Sequence, residues 1–157
     1  MTRFNTKSFN FFTLDQENSK HLYFLRELLK DEKISTYLKD IDTFLLKDTN
    51  ELLNNAYLVG LNDNIVGYLN LFDYAKCVEM HYAVLNNYRG IRDNLGDTIG
   101  CRIVKESAES IFTSYKRIEY IRLYIDEENI ESISLAKRAG FTLNNKYLTD
   151  YEYRKYR

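Results

Sequence analysis

The chain has 157 residues, 45% hydrophobic and 29% charged, a balance that excludes a disordered chain and sizes it for a single domain over residues 1–157. Twenty-two Lys and Arg against 23 Asp and Glu leave a formal net charge of -1, too little positive excess to neutralise a nucleic-acid backbone. No apolar run approaches the roughly 18 residues of a bilayer span, the start lacks the apolar core of a secretion signal, and Cys77 and Cys101 show neither zinc nor disulfide spacing, so a cytoplasmic protein with no membrane or nucleic-acid partner and no metal is expected.

Phe9-Asn-Phe-Phe-Thr-Leu14 has the aromatic and β-branched character of a first strand, and polar Asp15 to Ser19 suits the cap of a following helix. Leu22, Leu25, Leu28 and Leu29 recur at helical spacing. A second helical region is expected over Lys33 to Leu53, with Ile34, Leu38, Ile41, Leu45 and Leu52 on its apolar side and a break near Asp48 to Asn50. Ala56–Leu61 and Ile65–Phe72 flank Asn62-Asp-Asn64, residues that tolerate left-handed backbone, and the three together predict a β-hairpin. Cys77 to Leu85 reads as a further strand, and Asn86 to Leu95 as a polar, glycine-containing loop. Ile99, Ile103, Ala108, Ile111 and Phe112 mark the inner face of a helix about 24 Å long. Ile118 to Ile125 alternates as a strand, Asn129 to Ala139 forms a shorter helix closed by Gly140, and Phe141–Leu143 with Tyr147–Tyr153 can make a closing hairpin. The order implies a mixed α/β fold whose largely antiparallel sheet becomes parallel where the long helix crosses between two strands.

Two stretches carry chemistry. Asn87-Tyr-Arg-Gly-Ile-Arg-Asp-Asn-Leu-Gly-Asp-Thr98 runs from a strand into a helix, where successive backbone N–H groups and the helix dipole attract an anion. Gly90 and Gly96 permit close backbone approach, Asn94 tolerates positive φ, and Arg89 and Arg92 can add charge-assisted contacts to a phosphate. The second is Asn129-Ile-Glu-Ser-Ile-Ser-Leu-Ala-Lys-Arg-Ala-Gly-Phe141, an Asn cap, a helix with Ile133 and Ala136 inward, and Gly-Phe re-entering the sheet. Each stretch alone is also what an ordinary turn and a capped helix require.

Taken together and in this order, the two stretches resemble those of the GCN5-related N-acetyltransferase (GNAT) superfamily, over about Ala56 to Leu143. Tyr88-Arg-Gly90 with Asn94-Leu-Gly96 is similar to the family's Arg/Gln-x-x-Gly-x-Gly/Ala pyrophosphate loop, and Asn129, Ser132, Gly140 and Phe141 to its later Asn-x-x-Ser/Ala…Gly-Phe pattern. The resemblance implies the GNAT fold: a mixed, mostly antiparallel central sheet of six or seven strands flanked by about four helices, with splayed fourth and fifth strands. Two departures stand out. The loop is two residues longer than usual, with Asn94 where glycine is typical, and Ala136 occupies the position at which many members carry a tyrosine that protonates the leaving thiolate. Ala136 after Ser-Ile-Ser-Leu is more similar to the branch that includes ribosomal-protein N-terminal acetyltransferases.

The activity so implied is transfer of an acetyl group from acetyl-coenzyme A directly to a primary amine, on a protein N-terminus or a small molecule. The implied cofactor-binding residues are Tyr82, Ala83 and Val84 at the end of the fourth strand, Arg89, Gly90, Arg92, Asn94, Leu95, Gly96, Asp97 and Thr98 around the loop, and Asn129 and Ser132 on the shorter helix. Glu79 is the implied base, with His81 two residues on and on the same face able to share the task, and Ser132 or Ser134 aiding the thiolate. Seven acids against five bases between Arg26 and Glu51 (Glu27, Asp31, Glu32, Asp40, Asp42, Asp48 and Glu51 the acids) would suit a cationic amine, and Tyr147, Tyr151, Tyr153 and Tyr156 could line the acceptor pocket or simply pack in the sheet. A homodimer is a further implication of the resemblance. The competing readings are a catalytically inactive acyl-coenzyme A binder of the same fold and an α/β interaction domain in which both glycine stretches are turns.

Overall fold

The computed structural model describes residues 4–15, 17–32, 34 and 51–157. Among these, seven strands form one sheet: β1 (Asn10–Thr13), β2 (Ala56–Leu61), β3 (Asn64–Tyr74), β4 (Cys77–Val84), β5 (Tyr120–Asp126), β6 (Thr142–Lys146) and β7 (Asp150–Tyr156), in the order β1-β2-β3-β4-β5-β7-β6. Three α-helices lie among the same residues: α1 (Ser19–Lys30), α2 (Ile99–Ser114) and α3 (Ile130–Arg138). None of them is long and apolar enough to cross a membrane. The helix expected over Lys33 to Leu53 falls, apart from Ile34 and its last residues, outside the described residues, and residues 51–53 lead into β2 as loop and turn rather than helix.

Every strand pairing is antiparallel except β4 with β5, which the α2 crossover makes parallel. The β2–β3 turn places Asn62 and Asp63 at φ 48° and 64°, the left-handed pair that a two-residue hairpin of matching twist demands. Two residues into β3, Val66 is inserted opposite the Val59/Gly60 step as a bulge, which turns Val66 toward one face of the sheet and Tyr68 toward the other. The closing hairpin is longer than the sequence suggests: β6 runs to Lys146, and the tight turn lies at residues 147–149 because Tyr147 N–H bonds the Asp150 carbonyl.

The sheet is covered on both faces. Ile99, Ile103, Val104, Ala108 and Ile111 of α2, with Ala136 and Ala139 at α3, pack on one face against Tyr57, Val59, Met80, Ile121 and Leu123. Leu25 and Leu28 of α1, with Ile34, pack on the other against Ala56, Leu58, Tyr68 and Ala83. β2 is thereby buried on both sides, which is why it reads as an unbroken apolar run instead of alternating. β5 does alternate: Ile121, Leu123 and Ile125 enter the α2-side core, and Arg122, Tyr124 and Asp126 face the α1 side.

Candidate active site

The functional geometry begins where one ladder stops. β4 and β5 pair at Cys77↔Tyr120, Val78↔Ile121 and Glu79↔Arg122, and the pairing goes no further although both strands continue for several residues. Beyond Glu79 and Arg122 they diverge, and a cleft of about 880 Å3 opens between the end of β4, the loop that follows it, the end of β5 and the start of α3. That volume is at the upper end of the usual range for a ligand site.

The cleft has a polarity gradient. Its middle is lined by Met80, Val84, Leu123, Ile125 and Leu135, whereas the α2 end carries Arg89, Gly90, Arg92 and Thr98, and the β5 end Asp126, Asn129 and Asp150. Thr98 caps α2, its hydroxyl accepting from Cys101 N, and the first intrahelical bond runs from Arg102 N to Thr98 O. The amides of Ile99 and Gly100 therefore precede the helical ladder. Gly100 matters for shape, since a Cβ there would lie 2.9 Å from Leu135 Cδ1 and 3.2 Å from Val84 Cγ2, both cleft-lining side chains. A side chain there would require the Leu135 and Val84 side chains to give way at the start of α2.

Of the residues singled out from sequence, Tyr82, Ala83, Val84, Arg89, Gly90, Arg92, Thr98, Asn129, Ser132 and His81 line the cleft. Asn94, Leu95, Gly96, Asp97 and Glu79 are not among its lining residues. The loop is instead closed on itself: Asp93 Oδ1 accepts from the amides of Leu95 and Asp97, Asp93 O accepts from Gly96 N, and Gly96 takes φ 79°. Asp97 is a brace, its buried carboxylate held by Lys105 of α2 at 2.7 Å and Arg138 of α3 at 2.6 Å. Hydrogen bonds from Lys105 and then Arg138 keep its carboxyl below the ordinary carboxylate range. Arg89 donates through Nε to Val84 O at 2.9 Å and pairs through Nη2 with Asp31 at 2.8 Å, tying the end of β4 to the end of α1. Arg92 donates to Gly96 O.

At the other end Asn129 caps α3 by accepting from Ser132 N at 3.2 Å, and Ser132 and Ser134 both reach the cleft. Tyr82 lies beneath with its hydroxyl buried, and burial pushes the phenol up to about 12. Ala136 is fully buried in the core and contributes nothing to the lining. Tyr124, in the β5 wall, is also raised to about 12 by burial. Among the terminal tyrosines, Tyr153 is buried in the core, Tyr151 packs against it, and Tyr147 and Tyr156 are exposed, with none of the four lining the cleft.

On the α1 side of β4, Glu79 Oε1 lies 2.8 Å from His81 Nε2, and Glu79 Oε2 accepts from Arg122 Nη2 at 2.9 Å and Nε at 3.1 Å. Burial raises the Glu79 carboxyl, but His81 and Arg122 together outweigh it and hold it below the ordinary range. The sequence reading does not reach Gly100, Arg138 or Arg122. Gly100 was traceable as the glycine two residues past a Thr cap, and Arg122 as the charged residue sharing a face with Tyr124 in an alternating strand. Arg138 had no local signal, because its partners lie 41 and 43 residues away.

A divergent parallel pair at the centre of an otherwise antiparallel sheet, with a crossover helix starting at the cleft, is the GNAT acetyltransferase fold, and the solved structures of that class agree with it. A GNAT-family acetyltransferase from Bacillus anthracis superposes with a TM-score of 0.76 at 13% identity, covering 99% of this chain and 98% of that one. The Campylobacter jejuni N-acetyltransferase PseH, solved in complex with acetyl coenzyme A, gives 0.70 at 15% identity over 94% of this chain and 98% of that one. Spermidine N-acetyltransferase from Vibrio cholerae, in complex with CoA and spermine, gives 0.71 at 14% identity over 95% of each chain. No family model and no curated protein sequence matches this chain. Likeness at such low identity establishes the fold.

Proposed function

We propose that this chain is an acetyl-coenzyme A dependent N-acetyltransferase that acetylates a primary amine within the β4–β5 cleft, with residues 1–157 as one catalytic domain. The observation that carries the reading is the end of the β4–β5 ladder at Glu79↔Arg122, which leaves the last residues of β4 without a strand partner on the cleft side. An amide-bearing arm can pair with such an edge as an added strand would. Tyr82, Ala83 and Val84 would hold the pantetheine arm, with Asn129 opposite, and Val84, Ile125 and Leu135 match its apolar stretches. The diphosphate would meet Gly90, Arg92 and the amides at the start of α2, while Arg89, with Asp31, holds that end of β4 in place. Asn94, Leu95, Gly96 and Asp97 shape this end from behind.

Bound acetyl-coenzyme A would supply an activated acyl carbon and a good leaving group. The protein has to position the amine, polarise the carbonyl and accept the amine proton. A β4 backbone amide is the candidate for the second task, the His81–Glu79 wall for the third, and Ser132 for assisting the thiolate. With Ala136 in the core, tyrosine-dependent protonation from that helix position is not part of the reading.

For the acceptor, Asp126 and Asp150 stand directly opposite each other in the β5–β7 register, and both line the cleft together with Glu131. Like charges so placed repel, which favours a cationic amine between or beside them. The Vibrio neighbour crystallised with spermine supports a small polycationic amine, and the tyrosine-free Ser-Ile-Ser-Leu-Ala helix keeps a protein N-terminus as the finer alternative. The reading further expects a cytoplasmic homodimer, which light scattering addresses.

Two measurements test the reading. Acetyl-coenzyme A at about 100 times its Kd should stabilise the protein by about 2.7 kcal/mol, seen as a higher Tm. Thiol release over polyamines, aminoglycoside-type amines and N-terminal peptides should then select one class. No Tm rise at millimolar acetyl-coenzyme A refutes the reading, and a Tm rise with no turnover on any amine replaces it with an inactive acyl-coenzyme A binder.

A further inference from the structure

Backbone pairing closes part of the loop after β4 into a ring. Arg92 and Thr98 form an isolated antiparallel bridge, Asp93 N–H donates to the Asp97 carbonyl, and residues 93–97 lie inside. Asp93 draws the ring's amides to itself, its carboxylate accepting from Leu95 and Asp97 and its carbonyl from Gly96. Two consecutive carbonyls of the ring, Leu95 and Gly96, would repel an anion at the cleft rim, but each is capped by a guanidinium. Arg138 Nη2, from the last residue of α3, donates to Leu95 O at 2.8 Å, and Arg92 Nη1 donates to Gly96 O at 2.6 Å. Arg138 Nη2 lies over Gly96, 3.0 Å from where a Cβ on that residue would stand.

Arg89, Arg92 and Arg138 all line this end of the cleft, yet their charges are not equally neutralised. Arg89 is paired with Asp31 at 2.8 Å. Arg138 shares the single carboxylate of Asp97 with Lys105, and Arg92 pairs with no carboxylate among the described residues. Two guanidiniums held against one peptide unit repel each other, and an anion of two charges relieves that repulsion while accepting from both forks. Asp97 already fixes Arg138 through Nε at 2.6 Å, so little ordering remains to be done when an anion arrives. We propose that Arg138, with Arg92 beside it, binds the phosphate monoester on the ribose of coenzyme A, so that the chain selects the 3′-phosphorylated donor. The inference rests on the acetyl-coenzyme A reading. Asn129 and Arg138 stand at opposite ends of α3, about 13 Å apart at 1.5 Å per residue. A donor whose arm lies opposite Asn129 and whose diphosphate lies at Gly90 therefore carries its ribose toward Arg138.

Calorimetric titration with acetyl-coenzyme A and with its 3′-dephospho form tests this without turnover. Wild type should bind the phosphorylated donor about tenfold more tightly. In Arg138→Gln the two donors should bind within about twofold of each other, the loss falling on the phosphorylated one. Arg138→Lys should keep a preference of about threefold, since a point charge replaces the fork. Lys105→Gln removes the other partner of Asp97 at a residue that is not among those lining the cleft, so it should retain the tenfold preference and separate phosphate binding from damage to the brace. Wild type that binds both donors equally overturns the inference and leaves the acetyltransferase reading standing, and so does Arg138→Gln with its preference intact. Wild type that binds neither donor refutes that reading and the inference with it. Should Arg138→Gln fail to fold, Arg138→Lys decides, an undiminished preference there overturning the inference.

Discussion

Gly67 lies in the last β3–β4 pair, opposite Val84, and a Cβ on it would sit 2.4 Å from the Ala83 carbonyl oxygen. A backbone atom cannot rotate away as a side chain can, so Gly67→Ala must push β3 and β4 apart just where β4 forms the cleft wall. We expect a loss of about 2 kcal/mol in urea unfolding, together with weaker acetyl-coenzyme A binding by calorimetry. Asp97 offers the complementary case of a residue that matters through charge. Asp97→Asn keeps the shape but leaves Lys105 and Arg138 without their anion, and because both cations are partly exposed the expected cost is about 1–2 kcal/mol. At this scale, residues that act on their own neighbours were legible: Asn62 and Asp63 as left-handed turn formers, and Gly140, which takes φ 89° at the end of α3. Arg138, Arg122 and the pairing of Asp97 with Arg138 were not. Each depends on a partner at least 40 residues away that no local pattern announces.

Each of the three helices starts on a side-chain cap, Asn18, Thr98 and Asn129, and two of these caps also face the cleft. The two roles of Asn129 can be separated. Asn129→Asp retains a capping oxygen and should leave stability within a few tenths of a kcal/mol, yet it removes the amide donor and should weaken acetyl-coenzyme A binding. Asn129→Ala should lose both, with about 1 kcal/mol of stability gone in chemical denaturation. Helix α1 depends more on its buried side: Leu28, fully buried against the small core with Leu25, should cost about 2–5 kcal/mol as Leu28→Ala, read from the shift in denaturation midpoint. Elements with strong periodicity, α2 and β5 above all, were read from sequence close to their observed bounds. The β6–β7 hairpin was not, because all of β6 is exposed and its side chains carry no burial pattern from which its length could be inferred.

Across the whole molecule, ionisation should bound stability from both sides. Asp73, held down first by Arg117, Asp97, held down first by Lys105, and Glu79, in which His81 and Arg122 outweigh burial, all have folded-state pKa values below the ordinary 3.8 and 4.5 of Asp and Glu. The stability they contribute is present above those ordinary values and is lost as pH falls through the lowered ones. Tyr82 and Tyr124, raised by burial to about 12 from the ordinary 10.0, contribute stability that is present below pH 10 and lost as pH rises toward 12. A Tm profile should therefore be flat near neutrality and fall below about pH 4 and above about pH 10. A protein whose Tm does not change between pH 6 and pH 3 would contradict the acidic half. By itself the chain determined most of the described elements and their order, because periodicity, caps and turn formers act over a few residues and need no partner. Only the tertiary structure decided where β4 and β5 part, which amides of the glycine loop are already bonded to Asp93, and that Glu79 is gripped by Arg122. Those outcomes depend on register and on side-chain encounters between segments far apart in the chain, where local pattern carries no information.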